Sequence, residues 1–159
     1  MNDHTTHIPS EFKLEQAIGF HVNRTAFLMT EEIERRINKL GYNISTQDFA
    51  ILFRLLKQGS MTQVQIAKLL MRDKTTITRR IDALVKKQYV QRTASPDDRR
   101  LFLIELTETA HEALQVLIPL IANFQEEVLH GIPDTEKATT IKTLQHISSL
   151  LIHLRNKGL

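Results

Sequence analysis

The sequence contains no cysteine and no tryptophan, and it has only five glycines and four prolines among its 159 residues. Without cysteine the chain cannot form a disulfide framework, a thiolate metal site, a cysteine nucleophile or a thiol redox sensor. Glycine-rich phosphate loops, nucleophile elbows and His-Glu-x-x-His metal motifs are missing as well. We therefore predict no enzyme activity, no cofactor and no metal site. The lack of cysteine also favours a reducing, cytoplasmic location.

Long hydrophobic runs are absent too. The first residues have neither the basic start nor the apolar run of a secretory signal. The longest strongly apolar stretch without charge, Ala113–Gln125, is shorter than the roughly 18 to 20 residues that a membrane span requires. We expect neither export by such a signal nor insertion into a membrane. A hydrophobic fraction of 42% predicts one soluble globular domain.

The positive charge is concentrated in the middle of the chain. The net charge is only +3, but residues 72–100 carry nine basic and four acidic side chains, whereas the segment that follows is acidic overall. This distribution is typical of a module that binds a polyanion. A solvated charged surface without a partner is the alternative interpretation.

Apolar residues recur at three- and four-residue steps, which predicts amphipathic helices. The first runs from Phe12 to Leu40 and the second from Ser45 to Gly59, while Thr62 and Asp73 open the third and fourth as N-caps. Since only two residues separate Leu70 from Asp73, the third and fourth helices must turn sharply on one another. This pattern indicates a helix-turn-helix.

Two β-prone segments, Tyr89–Thr93 and Leu101–Leu106, follow the fourth helix, and the turn-forming segment Ala94–Arg100 separates them. They predict a β-hairpin with a charged tip, or wing. Thr107 and Asp134 then cap a fifth and a sixth helix, the last reaching about Leu154. The predicted fold class is mainly α, with six helices and a small β-hairpin wing in a winged helix-turn-helix.

The fourth helix presents small hydroxyl and long basic side chains opposite its apolar stripe. Small residues allow a helix to enter the major groove of DNA, and an arginine beside them can bridge O6 and N7 of guanine. Arg80 lies at the side of the helix, where a phosphate contact is expected. Each residue alone could also belong to an ordinary exposed surface. The predicted DNA contacts on this helix are Lys74, Thr75, Thr76, Thr78, Arg79 and Arg80.

The chain from about Leu14 to Leu154 resembles the MarR family of winged-helix transcription regulators. The wing signature of that family, Asp-x-Arg followed by five residues and Leu-Thr, is matched from Asp98 to Thr107. Its recognition-helix motif, Thr-Arg-x-Ile-Asp-x-Leu, is matched from Thr78 to Leu84. Gln88 and Tyr89 depart from the pattern, because the family often has glycine and an aliphatic residue there.

The resemblance implies a homodimer that forms through the terminal helices and binds a pseudo-palindromic double-stranded DNA operator. The wing then places Arg99 or Arg100 in the flanking minor groove, and Asp98 orients an arginine at the tip. An exposed pair of little energetic value is the alternative for Asp98. We expect a disordered tail at residues 1–10, a helical dimerisation region at 11–44 and 107–157, and a winged helix-turn-helix lobe at 45–106.

Members of the family commonly release DNA when a small aromatic or phenolic ligand binds between the dimer base and the DNA-binding lobe. His21, Arg24 and His111 are the candidate ligand contacts, although histidines in such places are more often hydrogen-bonded spacers between helices. The predicted function is a cytoplasmic DNA-binding regulator, most simply a repressor. The alternative is a helical homodimeric protein-interaction module without specific DNA binding.

Overall fold

The computed structural model describes residues 13–96, 98 and 100–157. The tail predicted at residues 1–10 and the predicted wing residue Arg99 lie outside the described residues. The chain divides into two compact units, Met1–Pro119 and Leu120–Leu159. The predicted division into a dimerisation region and a DNA-binding lobe stays a prediction.

The described residues form six α-helices and three short β-strands, which confirms the predicted fold class. A 3₁₀ turn at Leu14–Gln16 precedes them. In chain order the elements are α1 (Ile18–Lys39), α2 (Thr46–Gln58), β1 (Met61–Thr62), α3 (Gln63–Leu69), α4 (Lys74–Lys86), β2 (Val90–Ala94), β3 (Phe102–Leu106), α5 (Glu108–Val128) and α6 (Asp134–Asn156).

The first helix begins later than its apolar pattern predicts. Ala17 has an extended backbone with φ −79° and ψ 118°, so the 3₁₀ turn and α1 are separate elements. Leu14 and Ile18 are 49% and 59% exposed, respectively. Because neither side chain is buried, no packing extends α1 toward Phe12, and periodicity alone is too weak to do so.

Local capping chemistry sets most of the other helix starts. Ser45 and Thr62 form capping boxes with Asp48 and Gln65, and the Asp73 side chain accepts from the amide of Thr76. The hydroxyl of Thr107 likewise accepts from the amide of Ala110 at 3.3 Å, as predicted for α5.

The predicted cap of α6 is wrong by one residue. Pro133 occupies the N-cap position, and Asp134 is the first helical residue. The Asp134 carboxylate instead lies 3.1 Å from Nζ of Lys137, one turn further along the helix.

The strands form an antiparallel sheet in the order β1-β3-β2 within the described residues. Val90 pairs with Leu106 and Ala94 with Phe102, which is the predicted wing with its first strand shifted by one residue. Strand β1, which pairs Met61 with Ile104, was not predicted. Two residues are too few to show the alternation by which a strand is recognised in a sequence.

The core of the first unit is built from aliphatic side chains of α1 to α5 and the sheet. Side chains below 2% exposure come from α1, α2, α3, α4, β2, β3 and α5, so these elements share one interior. The largest of them are Ile37, Ile51, Leu52, Ile66, Ile77, Ile81, Leu84, Val90, Ile104, Leu114 and Leu117.

The terminal helices expose much of their apolar surface. Within α6, which is described completely, no residue is buried. In α1, Phe27 is 63% exposed and Leu28 is 50% exposed. The large apolar side chains of α6 that are at least 36% exposed are Ile141, Leu144, Leu150, Leu151 and Leu154.

Gln88 lies in the turn between α4 and β2 and has a φ of +63°, in the left-handed region that favours glycine. The departure from the family pattern therefore stands at a position where glycine removes backbone strain. The Gln88 carbonyl oxygen accepts from the Thr107 hydroxyl at 2.6 Å, a bond that does not depend on the side chain.

We expect Gln88→Gly to raise the free energy of unfolding by about 0.5 to 1 kcal/mol, since relief of the left-handed strain exceeds the added entropy of the unfolded chain. Ala83→Gly in α4 is the control and should lower it by about 1 kcal/mol. Urea unfolding followed by circular dichroism measures both. A loss of stability in Gln88→Gly would contradict the strain assigned to this turn.

Candidate nucleic-acid interface

The N-terminus of α4 is fixed by a cap on its first turn. Oδ1 of Asp73 accepts from the Thr76 amide at 2.8 Å, and its Oδ2 accepts from the Thr76 hydroxyl at 2.6 Å. These bonds, the hydroxyl bond first, hold the pKa of the Asp73 carboxyl below its usual value because they stabilise the charged form. The first turn of α4 is therefore well defined where the sequence predicts contact with DNA.

The predicted contact residues of α4 fall into two groups. Lys74, Thr75 and Arg79 are exposed, whereas Thr76 and Thr78 are half-buried. The Thr76 hydroxyl belongs to the cap, and the Thr78 hydroxyl donates to the Lys74 carbonyl at 2.9 Å. The exposed trio is thus the part of the helix that a ligand reaches most readily, while the two threonines shape the surface between them.

Arg80 has a contact inside the lobe. Its Nη1 donates to Oδ1 of Asp48 at 3.0 Å and to the Ser45 hydroxyl at 3.2 Å. The Asp48 side chain is 7% exposed, and Nζ of Lys87 lies 3.7 Å from its Oδ2. Arg80 is therefore a positioning residue that ties α4 to α2, and the phosphate contact expected of it stays a prediction.

The N-terminus of α2 is also tied to α1. Oε1 of Glu34 accepts from the amide of Thr46 at 2.8 Å and from its hydroxyl at 3.0 Å. Since Ser45 and Asp48 belong to the same helical turn, one set of polar contacts connects α1, α2 and α4.

An ion pair connects α4 to the wing. Nη2 of Arg92 in β2 lies 2.5 Å from Oδ1 of Asp82 in α4, and the two side chains are 33% and 57% exposed. Neither residue was singled out as a wing contact from the sequence, because only the register of β2 shows that Arg92 faces α4. The pair marks the face of the wing that is turned toward the helix.

At the tip of the wing, Asp98 makes a hydrogen bond to an arginine, but the donor is the main chain. Oδ1 of Asp98 accepts from the amide of Arg100 at 2.9 Å, and its carbonyl accepts from the amide of Leu101 at 2.9 Å. Asp98 thus shapes the turn. The exposed Arg100 side chain stays a predicted DNA contact.

The candidate ligand residues His21, Arg24 and His111 are all exposed. Nε2 of His21 lies 2.6 Å from the Glu15 carbonyl oxygen, which links α1 to the preceding 3₁₀ turn. In the described part of the chain, no hydrogen bond or ion pair joins the three residues to one another. Their role in ligand binding stays a prediction.

The described residues contain no group of three or more histidine, aspartate or glutamate side chains that could hold a metal ion. None of their helices combines the length and apolarity needed to cross a membrane.

Comparison with known proteins agrees with this geometry. Residues 44–102 match the model of the MarR family. The chain is similar to the structure of a probable transcriptional regulator from Pseudomonas aeruginosa, with 25% identity, a TM-score of 0.73, and coverage of 85% of this chain and 99% of that chain.

Two more distant structures share the fold. The repressor CouR, bound to a 23-mer DNA duplex, has 22% identity and a TM-score of 0.77, with coverage of 87% of this chain and 99% of that one. The second is BpsR of Bordetella bronchiseptica, a protein whose binding to DNA is regulated by 6-hydroxynicotinic acid. It has 19% identity and a TM-score of 0.78, with coverage of 86% of this chain and 96% of that one.

We expect Asp48→Asn to lower the free energy of unfolding by about 2 kcal/mol, because it leaves the half-buried Arg80 without its charged partner. A double-mutant cycle with Arg80→Met, measured by urea unfolding, should give a coupling energy above about 1 kcal/mol. The exposed pair Asp82–Arg92 is the matched control and should couple by less than about 1 kcal/mol. Equal coupling in the two pairs would contradict the role given to Asp48.

Proposed function

Because residues 44–102 match the model of the MarR family, we propose that the chain is a sequence-specific double-stranded DNA-binding transcription regulator that acts as a homodimer. The observation that carries this proposal is the surface formed by Lys74, Thr75 and Arg79 on one exposed side of α4. That side is exposed and carries the positive charges of Lys74 and Arg79. The contact of Arg80 with Asp48 holds the same helix against α2.

The three exposed residues of α4 suit different parts of DNA. Arg79 can bridge O6 and N7 of a guanine in the major groove, and Thr75 can contact a neighbouring base edge. Lys74, in the first turn, is placed to meet a phosphate together with main-chain amides. In this proposal Arg79 reads sequence, whereas Lys74 fixes the register on the duplex.

The wing contributes a second contact. Arg100 is exposed beside the turn that Asp98 shapes, and the Asp82–Arg92 pair ties β2 to α4. We place Arg100, with Arg99, in the minor groove next to the half-site, where a narrow A·T-rich groove attracts arginine.

Homodimer formation is supported by the apolar surfaces of the terminal helices. Phe27 and Leu28 in α1 and the five large apolar residues of α6 are exposed, and a run of this kind marks an interaction surface. A second copy with two-fold symmetry would cover the same surface on both chains and would present two copies of α4 to one pseudo-palindrome.

The finer role we propose is that of a cytoplasmic repressor that binds DNA, performs no catalysis and is released by a small aromatic or phenolic acid. CouR is a repressor seen with DNA, and a hydroxylated aromatic acid regulates BpsR. His21, Arg24 and His111 remain the proposed ligand contacts. The competing function, a helical protein-interaction dimer, explains the exposed terminal helices but not the basic side of α4.

To test DNA reading, we expect Arg79→Ala to lose about 1 to 3 kcal/mol of preference for selected genomic fragments over scrambled duplexes. Arg100→Ala should weaken binding to both duplexes and lower the salt slope by about one unit, because it removes a contact with the negatively charged groove. Fluorescence anisotropy at several salt concentrations measures both effects. Unchanged binding by both variants would contradict the DNA contacts assigned to Arg79 and Arg100.

To test the effector, we expect millimolar 6-hydroxynicotinate to weaken binding to the selected fragment. Arg24→Ala should raise the required concentration about tenfold, because it removes a charge-assisted hydrogen bond to the carboxylate. Arg155→Ala, an exposed arginine of α6, is the control. If neither this acid nor other aromatic acids shift the melting temperature or weaken DNA binding, the ligand-released part of the proposal fails.

A further inference from the structure

One aromatic ring of the wing is largely exposed to solvent. Phe102, the first residue of β3, is 56% exposed, and its neighbour Leu101 is 48% exposed. An exposed phenyl ring does not gain the free energy that its burial would contribute to folding. Exposed apolar side chains next to each other are typical of a surface that a binding partner covers. The strand register shows which side of the wing carries the ring.

The register places Phe102 on the side of the wing that faces α4. Phe102 pairs with Ala94, and two positions away Ile104 pairs with Arg92. Side chains two apart on a strand, and side chains of directly paired residues, share one face of a sheet. On that face Ile104 is fully buried and Arg92 pairs with Asp82 of α4, so Phe102 extends the same face toward the tip.

The position along α4 follows from the same register. Strand β2 returns along α4 after a short turn, in which the Tyr89 amide donates to the Leu84 carbonyl at 3.0 Å. Two strand residues advance about 7 Å, which corresponds to between four and five helical residues. Counted back along α4 from Asp82, the Ala94–Phe102 pair therefore lies level with Ile77 and Thr78. Ala94 is too small to cover the ring.

The exposed charges of α4 and the wing favour one class of occupant. Lys74 and Arg79 are exposed on α4, and Arg92 and Arg100 are exposed on the wing. These basic side chains, together with the exposed ring of Phe102, suit a polyanion that has apolar surface between its charges. The backbone of DNA has this character, because each deoxyribose presents carbon-bound hydrogens between two phosphates.

We infer that Phe102 packs against a deoxyribose of the DNA strand that passes between α4 in the major groove and the wing in the minor groove. The inference rests on the proposed function and adds an apolar, sequence-independent contact to it. A sugar contact holds the spacing between helix and wing on any duplex, whereas the choice of sequence stays with Arg79.

The first test uses fluorescence anisotropy with a mixed-sequence 30-base-pair duplex at several salt concentrations, so that no operator needs to be known. Phe102→Ala should weaken binding about tenfold with an unchanged salt slope, because an apolar contact releases no counterion. Phe102→Leu should lose less than about threefold. The matched control is Leu101→Ala, at the exposed residue immediately before β3, and it should stay within about twofold.

A second test does not depend on weakened binding. Since the sequence has no tryptophan, Phe102→Trp and Leu101→Trp each introduce a single fluorophore. The duplex should shield Trp at position 102 from acrylamide quenching and leave Trp at position 101 accessible.

The outcomes separate the two proposals. Full affinity of Phe102→Ala together with no shielding at position 102 overturns the sugar contact and leaves the proposed function intact. Failure of the unchanged protein to bind any duplex at low salt overturns the proposed function itself. If Phe102→Ala fails to fold, the tryptophan experiment decides the question alone.

Discussion

One buried carboxylate, that of Asp48, holds α4 in place. Asp48 lies in the first turn of α2, where it forms a capping box with Ser45. Its carboxylate contacts two cations, Arg80 in the middle of α4 and Lys87 just beyond the end of α4. A carboxylate on a side chain that is only 7% exposed is stable only if its charge is compensated, so α2 and α4 must keep the arrangement that brings both cations to it. Because Arg80 and Lys87 lie at different points along α4, their two contacts determine the orientation of this helix as well as its position.

The remaining polar contacts extend this constraint in both directions. Glu34 ties α1 to the same turn of α2 through Thr46, and the Asp82–Arg92 pair ties the wing to the other side of α4. The guanidinium of Arg80 is held firmly, although its Nε is buried without a hydrogen-bond partner among the described residues. Lys74, Thr75 and Arg79 of α4 thus remain exposed, while Arg80 holds the helix against α2 through Asp48. A helix that binds a rigid duplex requires such support.

Features that depend on neighbours in the sequence were predicted well. Ser45, Thr62, Asp73 and Thr107 cap helices as expected, because a cap involves residues only three positions apart. The start of α1 and the cap of α6 were wrong, since exposed apolar residues gave periodicity without packing and Pro133 took the cap position. Strand β1 was too short to predict.

Long-range contacts could not be derived from local patterns. Arg80 and Asp48 are 32 residues apart, and the side of a helix alone does not distinguish a phosphate contact from an ion pair within the lobe. A signal did exist, because Asp48 interrupts the apolar stripe of Ile51, Leu52 and Leu55, and a carboxylate on a buried face needs a cation. The exposed Lys74, Thr75 and Arg79 were predicted together, since they belong to the side of α4 that lies away from its apolar stripe of Ile77, Ile81 and Leu84.

The central claim is that two copies of α4, each held by its Asp48 contact, read one DNA sequence with two-fold symmetry. Selection of genomic fragments by the purified protein, followed by sequencing, tests it most directly. The account predicts enriched fragments that share a pseudo-palindrome with half-sites about one helical turn apart. Recovery of fragments without a shared sequence would contradict it.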